Sequence, residues 1–155
     1  MAQQPNQFGM TGQKGLMDLQ FNPSVISCEI DASEAGTLLH GQAVKIVDSA
    51  GGIPKVIAAA SDTDDVFGFI KYDMKSQGSK AYDKVEVAIA RNSVMYMEAG
   101  GAIARGGKVM ILVAGQKVVA AVGSGKHTVG RTLDKSSADG TLVRVMIDLP
   151  GETLP

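Results

Sequence analysis

Three stretches of this chain carry residue types that could do chemistry. Ser61-Asp62-Thr63-Asp64-Asp65 crowds three carboxylates into one loop, an oxygen-rich segment of the kind that holds Ca²⁺. An EF-hand loop needs glycine at its sixth position and glutamate at its twelfth. Counted from Asp62, those places hold Phe67 and Asp73. The expectation is therefore a solvated acidic turn and no assigned metal, with Asp62, Asp64 and Asp65 as the candidate ligands of an irregular site. Gly123-Ser124-Gly125-Lys126-His127-Thr128 looks like a phosphate loop, but Ala120 stands where the motif has its first glycine and His127 where it has Ser or Thr. The segment follows a strand and opens no helix, so no helix dipole would meet an anion. His40 and His127 sit in turn-like stretches, each without a second His or Cys at ligand spacing, which argues against zinc. No Gly-x-Ser-x-Gly elbow is present. Cys28 is the only cysteine, so no intrachain disulfide can form. Within Val25-Ile26-Ser27-Cys28-Glu29-Ile30 it reads as a buried thiol that packs like a small hydrophobe. No enzyme activity and no cofactor are expected.

The elements that would position these residues are strands, and their signals occur twice. Gly41-Gln42-Ala43-Val44-Lys45-Ile46-Val47 is echoed by Gly106-Gly107-Lys108-Val109-Met110-Ile111-Leu112. Lys55-Val56-Ile57-Ala58-Ala59-Ala60 returns as Lys117-Val118-Val119-Ala120-Ala121-Val122. Val66-Phe67-Gly68-Phe69-Ile70 is matched by Val129-Gly130-Arg131-Thr132-Leu133, and Val85-Glu86-Val87-Ala88-Ile89 by Val143-Arg144-Val145-Met146-Ile147. Two copies, spanning 41–89 and 106–147, are too few for a solenoid. They suit an all-β body, a compact β-barrel or β-sandwich built from two similar halves. The β-branched runs and regular turns predict strands near 24–30, 43–47, 54–59, 66–71, 84–90, 93–98, 107–113, 116–122, 128–133 and 141–148. Ala99-Gly100-Gly101-Ala102 is read as the joint between the copies. Asp31-Ala32-Ser33-Glu34-Ala35 and the stretch 73–77 are the helix candidates, both too short to stand without packing. Met95 and Met97 alternate on one face of a strand that carries Val94 and Tyr96 on the other. That strand belongs in a core or an oligomer interface.

Residues 1–23 differ from the body at 24–155. Gln, Asn and Gly dominate, yet Phe8, Met10, Leu16, Met17, Leu19 and Phe21 recur along the stretch. A disordered linker is usually poorer in large apolar groups. The expectation is an extended N-terminal arm whose six apolar residues anchor it on a partner chain. The start of the chain lacks the basic and apolar regions of a signal peptide, and no stretch reaches the ~20 apolar residues of a membrane span. With 15 Lys+Arg against 16 Asp+Glu, no basic excess points to nucleic acid. Trp is absent and Tyr72, Tyr82 and Tyr96 are scattered, which disfavours a base-stacking platform.

The order of these pieces resembles the capsid decoration proteins of tailed bacteriophages, also called cement or head-stabilising proteins. The resemblance runs over about 36–148. It rests on Gly41-Gln42-Ala43-Val44, Asp65-Val66-Phe67-Gly68-Phe69-Ile70 and Asp83-Lys84-Val85-Glu86-Val87-Ala88-Ile89-Ala90. It continues through Glu98-Ala99-Gly100-Gly101-Ala102-Ile103, Gly106-Gly107-Lys108-Val109, Val129-Gly130-Arg131-Thr132-Leu133 and Leu142-Val143-Arg144-Val145. It implies a compact β-barrel-like body, a homotrimer, and a noncatalytic clamp on the outer surface of the mature capsid. The implied partners are the major capsid protein and further copies of the chain, with no nucleic acid and no membrane. The implied location is the virion, after synthesis in the host cytoplasm. The competing expectations are another phage structural component (tail or spike) and a small-ligand or carbohydrate-binding β-module. The second is disfavoured because such sites offer aromatic walls.

Overall fold

The computed structural model describes residues 14–18, 24–48, 52–73, 78–88 and 93–155. They form ten strands and, among the described residues, no helix: β1 Val25–Ile30, β2 Ala43–Asp48, β3 Lys55–Ala58, β4 Gly68–Ile70, β5 Lys84–Ala88, β6 Val94–Gly100, β7 Lys108–Leu112, β8 Lys117–Ala120, β9 Thr128–Thr132 and β10 Asp139–Ile147. All ten fall where the β-branched runs place them. Asp31–Ala35 is a turn instead of a helix. The Asp31 carboxylate accepts from Ser33 N–H at 2.9 Å and from the Ser33 hydroxyl at 2.6 Å. Such a local cap stops the backbone from continuing as a helix. Most of the second helix candidate, 74–77, lies outside the described residues.

The strands close into two separate five-stranded barrels, ordered β1-β3-β2-β4-β5 and β10-β6-β8-β7-β9. Each half of the chain thus closes its own barrel, and the two copies follow one pattern. In each, the first strand runs parallel to the third and all other pairs are antiparallel. The copy therefore begins one strand earlier than the periodic runs suggest, with β1 matched to β6. Ala99-Gly100-Gly101-Ala102 leads from β6 to β7 inside the second barrel, and the halves meet between β5 and β6. Pairing of Val44 with Gly68, and of Val109 with Gly130, makes Gly68 and Gly130 equivalent. That is one residue away from the run-for-run match in the sequence.

The duplication extends to single bonds. Gly41 and Gly106 precede β2 and β7 with φ of 73° and 74°, in the left-handed region where glycine pays no Cβ penalty. Their N–H groups donate to Ile70 and Thr132 carbonyls at 2.7 and 2.8 Å. The isolated bridges Leu38–Ser79 and Ile103–Ser136 occupy matching places. The parallel pair of each barrel is tied by a Glu and a Lys, Glu29–Lys55 at 3.9 Å and Glu98–Lys117 at 2.9 Å.

Cys28, Ile30, Leu38, Val44, Val56, Ile70 and Val85 fill the first barrel. A second cluster fills the other barrel with Met95, Met97, Val109, Val118, Val129, Val143, Val145 and Ile147, and it takes in Ala43, Ala59, Val66 and Phe69 from the first. The β6 strand is a core strand, as its apolar residues on both faces require. Cys28 matches Met97 in the repeat, since the two pair with Val85 and Val143. It is buried, and burial pushes its thiol pKa up to about 11. A thiol held protonated in this way is a poor nucleophile.

Candidate functional site

The residues that invited chemistry are spent on structure. Burial raises the Asp64 pKa, but hydrogen bonds outweigh it and hold the carboxyl below the ordinary range. Those bonds come from Lys45 Nζ at 3.0 Å, Ala60 N–H at 2.7 Å and Ser61 N–H at 3.0 Å. Asp62 points the other way, into the second barrel, where it accepts from Val113 N–H at 3.0 Å and pairs with Lys126 at 3.4 Å. Asp65 is exposed. The three carboxylates do not converge, and among the described residues no group of three or more His, Cys, Asp or Glu could hold a metal. Lys126, the lysine of the phosphate-loop lookalike, is thus the partner of Asp62, and Gly125 N–H in the same loop donates to the Leu154 carbonyl.

The histidines fasten loops. His127 Nδ1 lies 3.3 Å from the Thr153 hydroxyl. His40 Nδ1 accepts from Asp73 N–H at 3.1 Å, and its ring lies 4.8 Å from that of Tyr72. Burial lowers the His40 pKa, with the Asp73 carboxylate opposing. The unfolded chain then takes up this proton near pH 6.5 and the folded chain only below that. The linked stability is complete above about pH 6.5 and declines as the pH falls beneath it. Thermal melts between about pH 7.5 and 5 should show a decline in Tm that is shallower in His40→Asn, whose Oδ1 keeps the acceptor without titrating. Equal slopes would assign the loss to other groups.

What the fold does assemble is a seam between the barrels. Gln116, with φ of 52°, occupies the tip of the β7–β8 hairpin. Its Oε1 accepts from Ala43 N–H at 3.0 Å, and its Nε2 reaches the Ala59 carbonyl at 3.5 Å. Ser24 N–H donates to Ser93 Oγ at 2.8 Å, joining the residues that precede β1 and β6. Phe69, fully buried, packs with the second barrel's core. At the matching place on that barrel stands Arg131, which is exposed. Ala43 likewise has Lys108 as its counterpart. An outward position is thus apolar where a barrel docks and cationic where the same face meets water. Aligning the two copies in the correct register would have exposed this signal. The seam was missed because periodicity alone cannot say which outward faces become buried.

A short strap locks the seam. Residues 14–18 run antiparallel to the first half of β6, with a bridge between Met17 and Met95. Tyr96 N–H donates to the Leu16 carbonyl at 2.8 Å, and Asp18 N–H to the Val94 carbonyl at 2.7 Å. The strap also reaches the first barrel, where Tyr72 N–H donates to the Gly15 carbonyl at 2.8 Å. Lys14 Nζ donates to the Gln116 carbonyl at 2.7 Å. Burial lowers the Lys14 pKa, opposed by Glu98 and assisted by Lys117. Of the six expected arm anchors, Met17 is 5% exposed in its own chain's core and Leu16 is half-buried beside it. Phe8, Met10, Leu19 and Phe21 lie outside the described residues.

The molecule is two fused small β-barrels, and Asp62, Asp64, His40 and His127 bond within that fold. The chain belongs to the phage structural cement protein family, described as structural cement protein (E217 gp24/Pam3 gp6), whose model matches residues 3–148. No curated protein matches it in sequence. The fold is shared with the N-terminal base of the head fiber gp8.5 of bacteriophage phi29. The TM-score is 0.52 at 15% identity, over 85% of this chain and 99% of that one. The chain is thus of a virion structural family, with the all-β architecture its sequence predicts.

Proposed function

We propose that this protein is a noncatalytic clamp on the outer surface of a phage capsid, where it binds the major capsid protein as a homotrimer and stabilises the mature head. The observation that carries this reading is the cement-family match over nearly the whole chain. Physical features support it. Near-zero net charge (15 cations against 16 anions) avoids competition for packaged DNA. Symmetric repetition turns modest contacts into avid binding. In this reading residues 1–13, with Phe8 and Met10, form the capsid-reaching arm, a division supported by the pairing of residues 14–18 with β6. Leu16 and Met17 serve the body instead. An arm that orders only on docking loses its conformational entropy at that step.

Co-sedimentation with undecorated mature capsids tests this, comparing the full chain with one lacking residues 1–13. Saturable binding of the full chain, weakened at least tenfold by the truncation, is expected; a tenfold loss corresponds to about 1.4 kcal/mol. Equal binding of both would move attachment to the barrels. Binding by neither would remove the clamp reading and favour a tail or spike position.

A further inference from the structure

Each barrel has one short parallel pair, which leaves the first half of one strand without a neighbour on that side. β8 meets β6 only at Ala99, and β3 meets β1 only at Glu29 and Ile30. Pro54 stops the second pairing, since it has no N–H to give to β1. On β6 the gap is filled by the strap, which bonds to the N–H of Tyr96 and to the carbonyls of Val94 and Tyr96. The equivalent residues on β1 are Val25 and Ser27. Val25 pairs with Ala88 as Val94 does with Met146, and Cys28 with Val85 as Met97 does with Val143. Ile30 N–H donates to Asp83 on the β5 side, and Glu29 N–H to Pro54 on the β3 side. Strand alternation then turns the main-chain groups of Val25 and Ser27 away from β5. Among the described residues no strand meets them there.

Side-chain burial differs in the same sense. Met95 is fully buried beside the strap's Met17, whereas its twin Ile26 is half-buried. Tyr96 is half-buried and its twin Ser27 is exposed. An open strand edge takes up a further strand through main-chain bonds, and the chain carries a segment that fits. The strap's Gln13-Lys14-Gly15-Leu16 is echoed six residues earlier by Gln7-Phe8-Gly9-Met10. Gly15 has a φ of 82°, a conformation open to glycine, and the echo keeps glycine at that place. The echo is badly placed for the β1 of its own copy. Only Gln13 and Lys14 separate Gly12 from Gly15, a reach of about 11 Å. The Gly15 carbonyl is held by Tyr72, which follows β4, and β4 does not adjoin β1.

We propose that the arm of one copy adds residues 7–12 as a strand to the open edge of β1, at Val25–Ser27, on the next copy. The contact that the strap makes within the chain is then repeated between chains. This rests on the homo-oligomeric clamp reading above and specifies its interface: the arm passes over the capsid and ends on the next copy. The contact is heterologous, and a heterologous contact that closes gives a ring.

Met10 stands where the strap has Leu16, whose carbonyl meets Tyr96, so Met10 should lie beside Ser27. The test mixes full-length Met10→Cys with full-length Ser27→Cys and adds a short bismaleimide linker, in solution and on capsids. Each variant carries the buried native Cys28, for which the unmodified chain is the control. The mixture is expected to give a dimer-mass band that neither variant gives alone. In a separate measurement, Ser27→Pro removes the N–H that faces away from β5, a change a strand edge tolerates. It is expected to have the light-scattering mass of the 16.1 kDa monomer, below that of the unmodified chain, while its melting transition stays cooperative. Equal masses for the two chains would overturn the proposal. So would a chain with both cysteine substitutions that closes on itself at monomer mass, because the arm would then stay on its own copy. A band from Met10→Cys alone, or no mixed band in either setting, would overturn it too. Capsid binding by the unmodified chain without a mixed band on the capsid rejects this interface and leaves the clamp; no capsid binding by the unmodified chain rejects the clamp itself.

Discussion

A chain lacking residues 1–18 is expected to melt roughly 10 °C below one lacking only residues 1–13. The difference lies in the strap. Deleting it uncovers Met95, removes Met17 from the core, and frees backbone groups of Val94, Tyr96 and Tyr72. Removal of a buried Met side chain alone costs about 2–5 kcal/mol. For a domain of this size each kcal/mol shifts Tm by about 2–4 °C. Backbone groups on β6 regain water once exposed, so their loss adds less than the apolar term. Differential scanning fluorimetry on the two lengths reads this directly. Equal melting of both would mean that the strap is peripheral to stability. A cut at residue 23 would confound capsid attachment with folding, which is why the attachment test cuts at 13.

Alanine at Gly41 is expected to cost about 3 kcal/mol or more, and alanine at Gly106 only about 1–2 kcal/mol. The two glycines have the same φ within a degree, so the left-handed backbone penalty is shared. Their surroundings differ. A Cβ on Gly106 would meet nothing within 4 Å, whereas one on Gly41 would lie 2.7 Å from Lys14 Cγ and 2.9 Å from Gly15 N. The excess at Gly41 is therefore a clash with the strap, and backbone cannot step aside as a side-chain end can. Urea titration of both variants in the full chain and in the chain lacking 1–18 completes a thermodynamic cycle. The gap between the variants should close when the strap is gone. A gap that persists would place the strain within the first barrel.

Much of the architecture was legible because strand periodicity is local. Alternating and β-branched runs located every strand, and the recurrence of Gly41 as Gly106 and Lys55 as Lys117 marked the two halves. The first strand of each copy escaped that comparison. Val25-Ile26-Ser27-Cys28-Glu29-Ile30 and Val94-Met95-Tyr96-Met97-Glu98-Ala99 share little beyond Val and Glu, since interior positions accept any apolar residue that fills the volume. Asp31-Ala32-Ser33 read as a helix start because the same side-chain hydrogen bond can cap a helix or close a turn. The carboxylates of 61–65 were visible as a cluster, but their separation was not. Asp62 and Asp64 are drawn to different barrels by Val113 and Lys45, residues distant in sequence.

By itself the sequence determined an all-β chain of two similar halves without a matching catalytic or metal-ligand motif, because turn glycines, strand alternation and ligand spacing act over a few residues. The tertiary structure alone decided that each half closes its own barrel, that residues 14–18 belong to the body, and that Phe69 is buried while Arg131 in the same position is not. Those outcomes depend on which outward face another element covers. Two barrels built from one pattern become unequal once they dock, because the face of Ala43 and Phe69 is then covered while that of Lys108 and Arg131 is not.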